Sequence, residues 1–303
     1  MGIGQILNKL PNMEGDLTLP KRIEEEMEIA IDCLSGSLHF EFSESETHCT
    51  LTILGWNDND VTRQAIAHYL VGLRACAIDA ALNIRSQLED TPEDRQEVIQ
   101  NVFAIIGIDN SELSQDQKQD DRNPWIAEGI WHMCMAIAAR RNELHPIGSV
   151  ISVDYAHIAS KDHGLDGLVL YEVDNLFGIS IIESKAYRDD PNRAINNAVE
   201  FYRDIDSGKH DLRIRQSVQI MRTALPPNFQ SMISGSFWKR ERTYIPNPHY
   251  DESNKMDWTN IRPSFRDLKP VRTNIIIMPH KISGFDNFFD QIADEMRSFA
   301  RSL

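Results

Sequence analysis

HGLDGLVLYEVDNLFGISIIESKAY, residues 163–187, is the stretch whose reading decides the fold. Two aliphatic, β-branched runs, 168–173 and 178–185, flank Asp174-Asn175, a dipeptide common between strands, so a β-hairpin is expected. Asp166 stands at the mouth of the first strand, and Glu183, Ser184 and Lys185 close the second. Side chains alternate faces along a strand. Glu183 and Lys185 therefore project together, while Ile182 and Ser184 face the other way.

Ionised residues ending an apolar strand, with a second acid on the paired strand, suggest a small cation site with a lysine beside it. Hard divalent ions such as Mg²⁺ take oxygen from one or two carboxylates and keep several waters. An adjacent lysine orients or activates such a water, or neutralises charge building up on a phosphate. A hairpin that simply ends in solvent-exposed charges carries the same letters, and E-x-K recurs by chance.

At these residues the chain resembles the PD-(D/E)xK nuclease superfamily: Asp166, then Glu183-Ser184-Lys185 after a hairpin. The resemblance covers about the second half of the chain. It departs at the first motif, where Asp166 follows Leu165 instead of a proline. The resemblance implies a restriction-endonuclease-like core in which Asp166 and Glu183 ligate Mg²⁺, with Mn²⁺ able to substitute. It also implies that the main-chain carbonyl of Ser184 completes the site and that Lys185 positions the attacking water.

Composition sets the limits. A chain of 303 residues with 41% hydrophobic content is enough for one large domain or two modest ones. No apolar run reaches the ~18 residues of a membrane span, and the N-terminus lacks a signal peptide's layout. Cys33, Cys49, Cys76 and Cys134 show no metal-type spacing. Reduced thiols in a cytoplasmic protein are the expectation.

The net charge of −15 sits awkwardly with a polyanionic substrate. Its distribution eases the conflict: residues 1–123 carry 23 acids and 9 bases, residues 124–303 carry 23 acids and 22 bases. The acidic half serves solubility, or else repels nucleic acid, binds a basic partner or occupies the nuclease groove as a substrate mimic.

Along the chain, a helix is expected over 23–34, then a hairpin from 38–42 and 48–54. Asn57-Asp58-Asn59-Asp60 lacks the glycine and distal glutamate of a calcium loop and reads as a helix N-cap. A long helix follows over 61–87, and a second from Thr91-Pro92 to about 106. Residues 109–123 are polar throughout apart from Leu113, and mark the expected boundary. This divides the chain into an acidic, mainly helical N-terminal region, 1–120, regulatory or partner-binding, and a nuclease core, 121–303.

The core is expected to open with a helix over 125–142. Glu128 lies in its first turn, where the helix dipole favours any acid. By the resemblance it is also the position of a glutamate that contributes to the metal. A strand near 148–155 pairs with the hairpin in α-β-β-β order. Asp154 ranks below Asp166 as a ligand, and His157 and His163 read as incidental or, for a phosphoryl site, as a base or phosphate donor. A helix over 192–205 carries Arg193 and Asn197 one turn apart, and another over 212–224 carries Arg213, Arg215 and Arg222. These are candidate phosphate contacts or solvated faces. Residues 226–270 read as an irregular loop in which Phe237, Trp238 and Trp258 alternate with Lys239, Arg240 and Arg242, suited to unpaired bases and a phosphate backbone. A buried strand over 273–278 and a helix over 285–303 close a central mixed sheet flanked by helices.

The sequence thus points to an α/β, metal-dependent phosphodiester hydrolase, and the superfamily resemblance implies DNA over RNA as substrate. The layout also resembles the HamA-type effectors of Hachiman antiphage systems, which implies DNA as substrate and a separate helicase partner. No phosphate-binding loop for a nucleotide is present in these residues. A restriction-type endonuclease with its own sequence recognition, and an inactive interaction protein on a nuclease fold, are the competing readings.

Overall fold

The computed structural model describes residues 17–55, 59–157, 165–234 and 236–303, with the side chain of Arg262 left aside. His163, Asn57 and Asp58 lie outside the described residues. Helix α1 (Leu19–Ser37) buries Leu19, Ile23, Met27, Ala30, Ile31 and Leu34, a three-and-four spacing that lays one stripe on the core. Strands β1 (His39–Glu44) and β2 (Cys49–Leu54) form the anticipated antiparallel hairpin. Helix α2 (Asp60–Arg74) starts at Asn59, whose side chain accepts the Thr62 N–H at 2.9 Å.

The helix expected over 61–87 stops thirteen residues early, at Arg74. Cys76 takes a left-handed conformation, φ 53°, while Ala77 N–H reaches Gly72 O and Cys76 N–H reaches Leu73 O. This is a Schellman ending on a non-glycine residue. Beyond it the Asp79 carboxylate holds the N–H groups of Ala81 and Asn83, both at 3.0 Å. Local side-chain bonds thus compete with the helix that alanine and leucine favour.

Helix α3 (Pro92–Ile106) begins in a reciprocal Thr91–Asp94 capping box. The polar run that follows is folded: Ser114 and Gln117 cap a short helical turn, and residues 118–122 form a wider turn leading into α4 (Asn123–Ala138). Arg122, 1% exposed, pairs with Asp290 at 2.5 Å, and Lys118 pairs with the same carboxylate at 3.1 Å. The expected boundary therefore coincides with no break in packing. One hydrophobic cluster joins α1–α4 to Phe288, Phe289, Ile292 and Met296 of the C-terminal helix, α7 (Phe285–Ser302).

The remaining strands and longer helices among the described residues are β3 (Ser149–Val153), β4 (Gly167–Val173), β5 (Leu176–Ala186), α5 (Pro191–Ser207), α6 (Asp211–Ala224), β6 (Arg242–Asp251), β7 (Ile276–Ile277) and β8 (His280–Ile282). The main sheet runs β3-β4-β5-β6-β8, antiparallel across β3, β4 and β5 and parallel from β5 to β8. Asp174 and Asn175, φ 52° and 62°, make the mirror-image turn that joins β4 to β5. Helix α4 and the first cluster cover one face; α5 and α6 cover the other. The protein is an α/β fold, as the sequence indicated, with two mixed sheets flanked by helices where one central sheet was expected.

Two strand expectations change. The short β7 pairs with β2, and the neighbouring Ile275 bridges to Tyr244, so the apolar run 273–278 links the small sheet to the large one. More importantly, β6 lies within the segment read as loop and is buried over nine of its ten residues. Pro246 and Pro248 hid it. The Pro246 carbonyl accepts Met278 N–H on the side away from β5. A residue's amide and carbonyl leave a strand on the same side, so the donors missing from both prolines leave the β5 ladder intact.

Candidate metal centre

Gly167, the first residue of β4, pairs with Ile182. Glu183, Ser184 and Lys185 therefore run past the start of the neighbouring strand. Asp166 turns toward them: its Oδ2 accepts Ser184 N–H at 2.9 Å and lies 3.4 Å from Lys185 Nζ. Lys185 Nζ is also 2.6 Å from Glu183 Oε1. One ammonium stands between carboxylates delivered by two strands. The alternation holds as well, since Ile179 and Ile181 join the α5–α6 core and Ile182 the opposite one.

Main-chain direction places a fourth group. Ile179 and Tyr187 donate to Glu241 and His249 carbonyls on the β6 side. Ser184, of opposite parity, faces β4, as its bond to Asp166 shows. Its carbonyl leaves toward the same side. From α4, Glu128 approaches with its side chain nearly covered, Oε2 lying 3.4 Å from His157 Nδ1. His157 was read as incidental; it stands four residues beyond the end of β3, at the same edge of the sheet as Asp166. One donor atom each from Glu128, His157 and Asp166 lie within 4.8 Å of one another.

The charges are crowded. Burial, and then Asp166, raise the Glu183 carboxyl well above its ordinary range. The same causes push Glu128 up to about 7, against the pull of His157 and Lys185. Burial lowers Lys185, but Asp166 and Glu183 outweigh it and the net direction is up, so the lysine stays a cation. Three carboxylates share one lysine and one histidine, and a divalent cation is the charge that balances the set. Glu183 Oε2 and Glu128 Oε2 are both buried and accept no hydrogen bond. Such oxygens suit Mg²⁺ or Mn²⁺, so the residues present fit the ion.

No family model, curated protein or solved structure matches the chain.

The expected nucleic-acid contacts divide. Arg193 lies over the Tyr187 ring, 5.3 Å from its centroid, and Asn197 donates to the Tyr187 hydroxyl at 2.9 Å. Tyr187 follows Lys185 by two residues, so both reach the edge of the site. Arg213 acts electrostatically on Asp154 and His157, which puts α6 beside the same opening. Arg215 and Arg240 are exposed, and Lys239 pairs with Asp211 at 2.6 Å.

Arg242 is a correction. It is buried and pairs with Asp206 at 2.5 Å, Asp206 also accepting the Tyr244 hydroxyl at 2.6 Å. A guanidinium enclosed in β6 does not face a phosphate backbone. The interleaved aromatics are likewise core: Trp238 is fully buried, Phe237 nearly so, and Trp258 stacks on His48 at 5.3 Å.

Sequence reasoning missed the polar chain behind the site. Ser184 Oγ donates to Asn247 Oδ1 at 3.3 Å, which also accepts His249 Nε2–H at 2.6 Å. His249 Nδ1 lies 2.9 Å from His280 Nδ1. These bonds tie the metal strand to β6 and β8. Asn247 and His249 alternate with the two prolines, a period-two pattern that was the available signal of a strand.

Proposed function

We propose that this protein is a metal-dependent nuclease that hydrolyses phosphodiester bonds, with DNA as its substrate. The observation that carries the proposal is the convergence of Asp166, Glu183 and Lys185, with Lys185 Nζ in contact with both carboxylates. Asp166, Glu183 and Glu128 would hold the ion, together with the Ser184 carbonyl. Bound there, it would supply positive charge to the phosphate and favour ionisation of the attacking water. Lys185 contributes a fixed cation whose position the two carboxylates set, so it orients water and phosphate oxygens without reorganising. Arg193, Asn197 and Arg213 line the approach for the sugar-phosphate backbone.

The preference for DNA rests on the superfamily resemblance, and a role in antiphage defence beside a separate helicase rests on the narrower likeness to HamA-type effectors. The missing nucleotide loop in these residues supports a motor supplied from outside. Convergence of all three motif side chains speaks against an inactive scaffold.

The test is nicking of supercoiled plasmid with Mg²⁺ or Mn²⁺, set beside Glu183→Ala and Lys185→Ala. Cleavage is expected to stop with chelator and to fall by ~10²–10³-fold or more in each variant. A folded, metal-loaded wild-type protein that cuts neither DNA nor RNA would sink the reading.

A further inference from the structure

The tightest set of donor atoms at the site includes a nitrogen. Glu128, His157 and Asp166 come from helix α4, the segment after β3 and the mouth of β4, yet one donor from each lies within 4.8 Å of the others. Around a six-coordinate ion bound at about 2.1 Å, neighbouring ligands sit about 3 Å apart and opposite ones about 4.2 Å. Glu128 Oε2 and His157 Nδ1, 3.4 Å apart, fall inside that range, and the 4.8 Å limit on the trio is one that a small closure around an ion would bring within it.

His157 is anchored for the task. Its main-chain carbonyl accepts the indole N–H of Trp125 at 3.0 Å, and its Nδ1 stands 3.4 Å from Glu128 Oε2. Trp125 and Glu128 are three residues apart on α4, so a single helical turn fixes both the backbone and the ring. Independently, Glu128 is 8% exposed, and its Oε2 faces the His157 ring at 3.4 Å without reaching hydrogen-bond geometry. The two groups attract one another but are only loosely joined.

We propose that His157 is a ligand of the metal and that the centre therefore selects a transition ion of the Mn²⁺ class over Mg²⁺. This rests on the metal-site reading above and adds the identity of the ion. Mg²⁺ takes oxygen and sheds water reluctantly, whereas imidazole is a good ligand for first-row transition ions. An all-oxygen set accepts either ion; one imidazole in the sphere tilts it. His157 also explains why Glu128 is kept close: the carboxylate holds the ring at the site while the ion is exchanged.

The experiment uses the full chain loaded with Mn²⁺ and pulsed electron paramagnetic resonance. The expected spectrum contains a nitrogen hyperfine coupling that shifts on ¹⁵N-histidine labelling, disappears in His157→Gln and persists in His163→Gln. Binding titrations of His157→Gln are expected to show at least ~10-fold weaker Mn²⁺ with Mg²⁺ affinity unchanged. The wild-type labelling comparison needs no variant to fold. Absence of nitrogen coupling, its survival in His157→Gln, or equal weakening of both ions overturns the proposal. Cleavage of DNA without nitrogen coupling removes this inference and leaves the nuclease; nitrogen coupling without cleavage does the opposite.

Discussion

Lys185 Nζ lies 2.6 Å from Glu183 Oε1 and 3.4 Å from Asp166 Oδ2, so one ammonium joins the two strands of the hairpin at their open end. The arrangement places cost as well as chemistry at this point, because the carboxylates it separates are deeply buried.

Lys185→Met removes the charge and leaves both acids facing one another. In chelator-treated protein the expected loss is about 3 kcal/mol, the size found when one member of a buried pair is deleted. Adding Glu183→Gln to that variant restores most of the stability and none of the cleavage. Urea unfolding of the two singles and the double, read as a cycle, measures the coupling. Additive effects would show that Lys185 and Glu183 do not interact.

Arg242 and Arg213 separate structure from substrate contact. Arg242→Ala is expected to cost about 3 kcal/mol, because Asp206 loses its guanidinium and keeps only the neutral donors of Tyr244 and the Lys269 amide. Its effect on nucleic-acid affinity in the surviving folded fraction is expected to be small. Arg213→Ala, at a half-buried position beside Asp154, is expected to cost less, about 1 kcal/mol, and to weaken DNA binding at low salt with a shallower salt dependence. Thermal melts and filter binding across salt concentrations distinguish the two.

Buried neutral histidines set the acid limit. His132 bonds the Tyr69 hydroxyl and the Asp154 carbonyl; His145 bonds Ser180 Oγ and the Gly148 carbonyl. Burial lowers both from 6.5 to about 4. Between those values the unfolded chain binds protons that the folded one refuses, so stability falls as pH drops from 6.5 toward 4 and levels off below. The upper bound is about 3 kcal/mol per histidine. Denaturation midpoints at pH 7, 6 and 5 test it, and His145→Gln should flatten the slope.

Cys76 ends α2 in a left-handed conformation that costs an L-residue about 1–2 kcal/mol. Glycine removes that strain and adds about 0.5–1 kcal/mol of unfolded-state entropy. Cys76→Gly is therefore expected to stabilise the protein by about 0.5 kcal/mol, read from urea midpoints; a loss of stability would contradict the Schellman ending.

The hairpin, its turn and the three motif residues were legible because alternation and a turn dipeptide are local signals. Helices α3 and α7 were legible for the same reason, through a proline-led cap and an apolar stripe. Helix α2 was overrun because nothing in A-C-A-I-D-A-A-L-N opposes a helix except bonds from Asp79 that only the folded backbone reveals. The strand carrying Asn247 and His249 was lost to two prolines whose missing donors happen to face away from the ladder. The pairing of His157 with Glu128 was not legible, because a lone histidine after a strand meets that carboxylate only through the packing of α4. Arg242 was misplaced because exposure is a tertiary property: in sequence, a buried arginine beside tryptophan looks like one on a nucleic-acid surface.

The contacts of α7 bear on how such an enzyme can be restrained. Arg297 donates to the Ile106 carbonyl at 2.8 Å and to Asn110 Oδ1 at 2.6 Å, while Asp290 receives Arg122 and Lys118. The acidic half is thus built into the same folding unit as the centre, and excising it would strip the interior bare. A protease nick inside 109–121 should leave two pieces that still migrate as one. Removing residues 1–120 is therefore expected to unfold the remainder rather than release it.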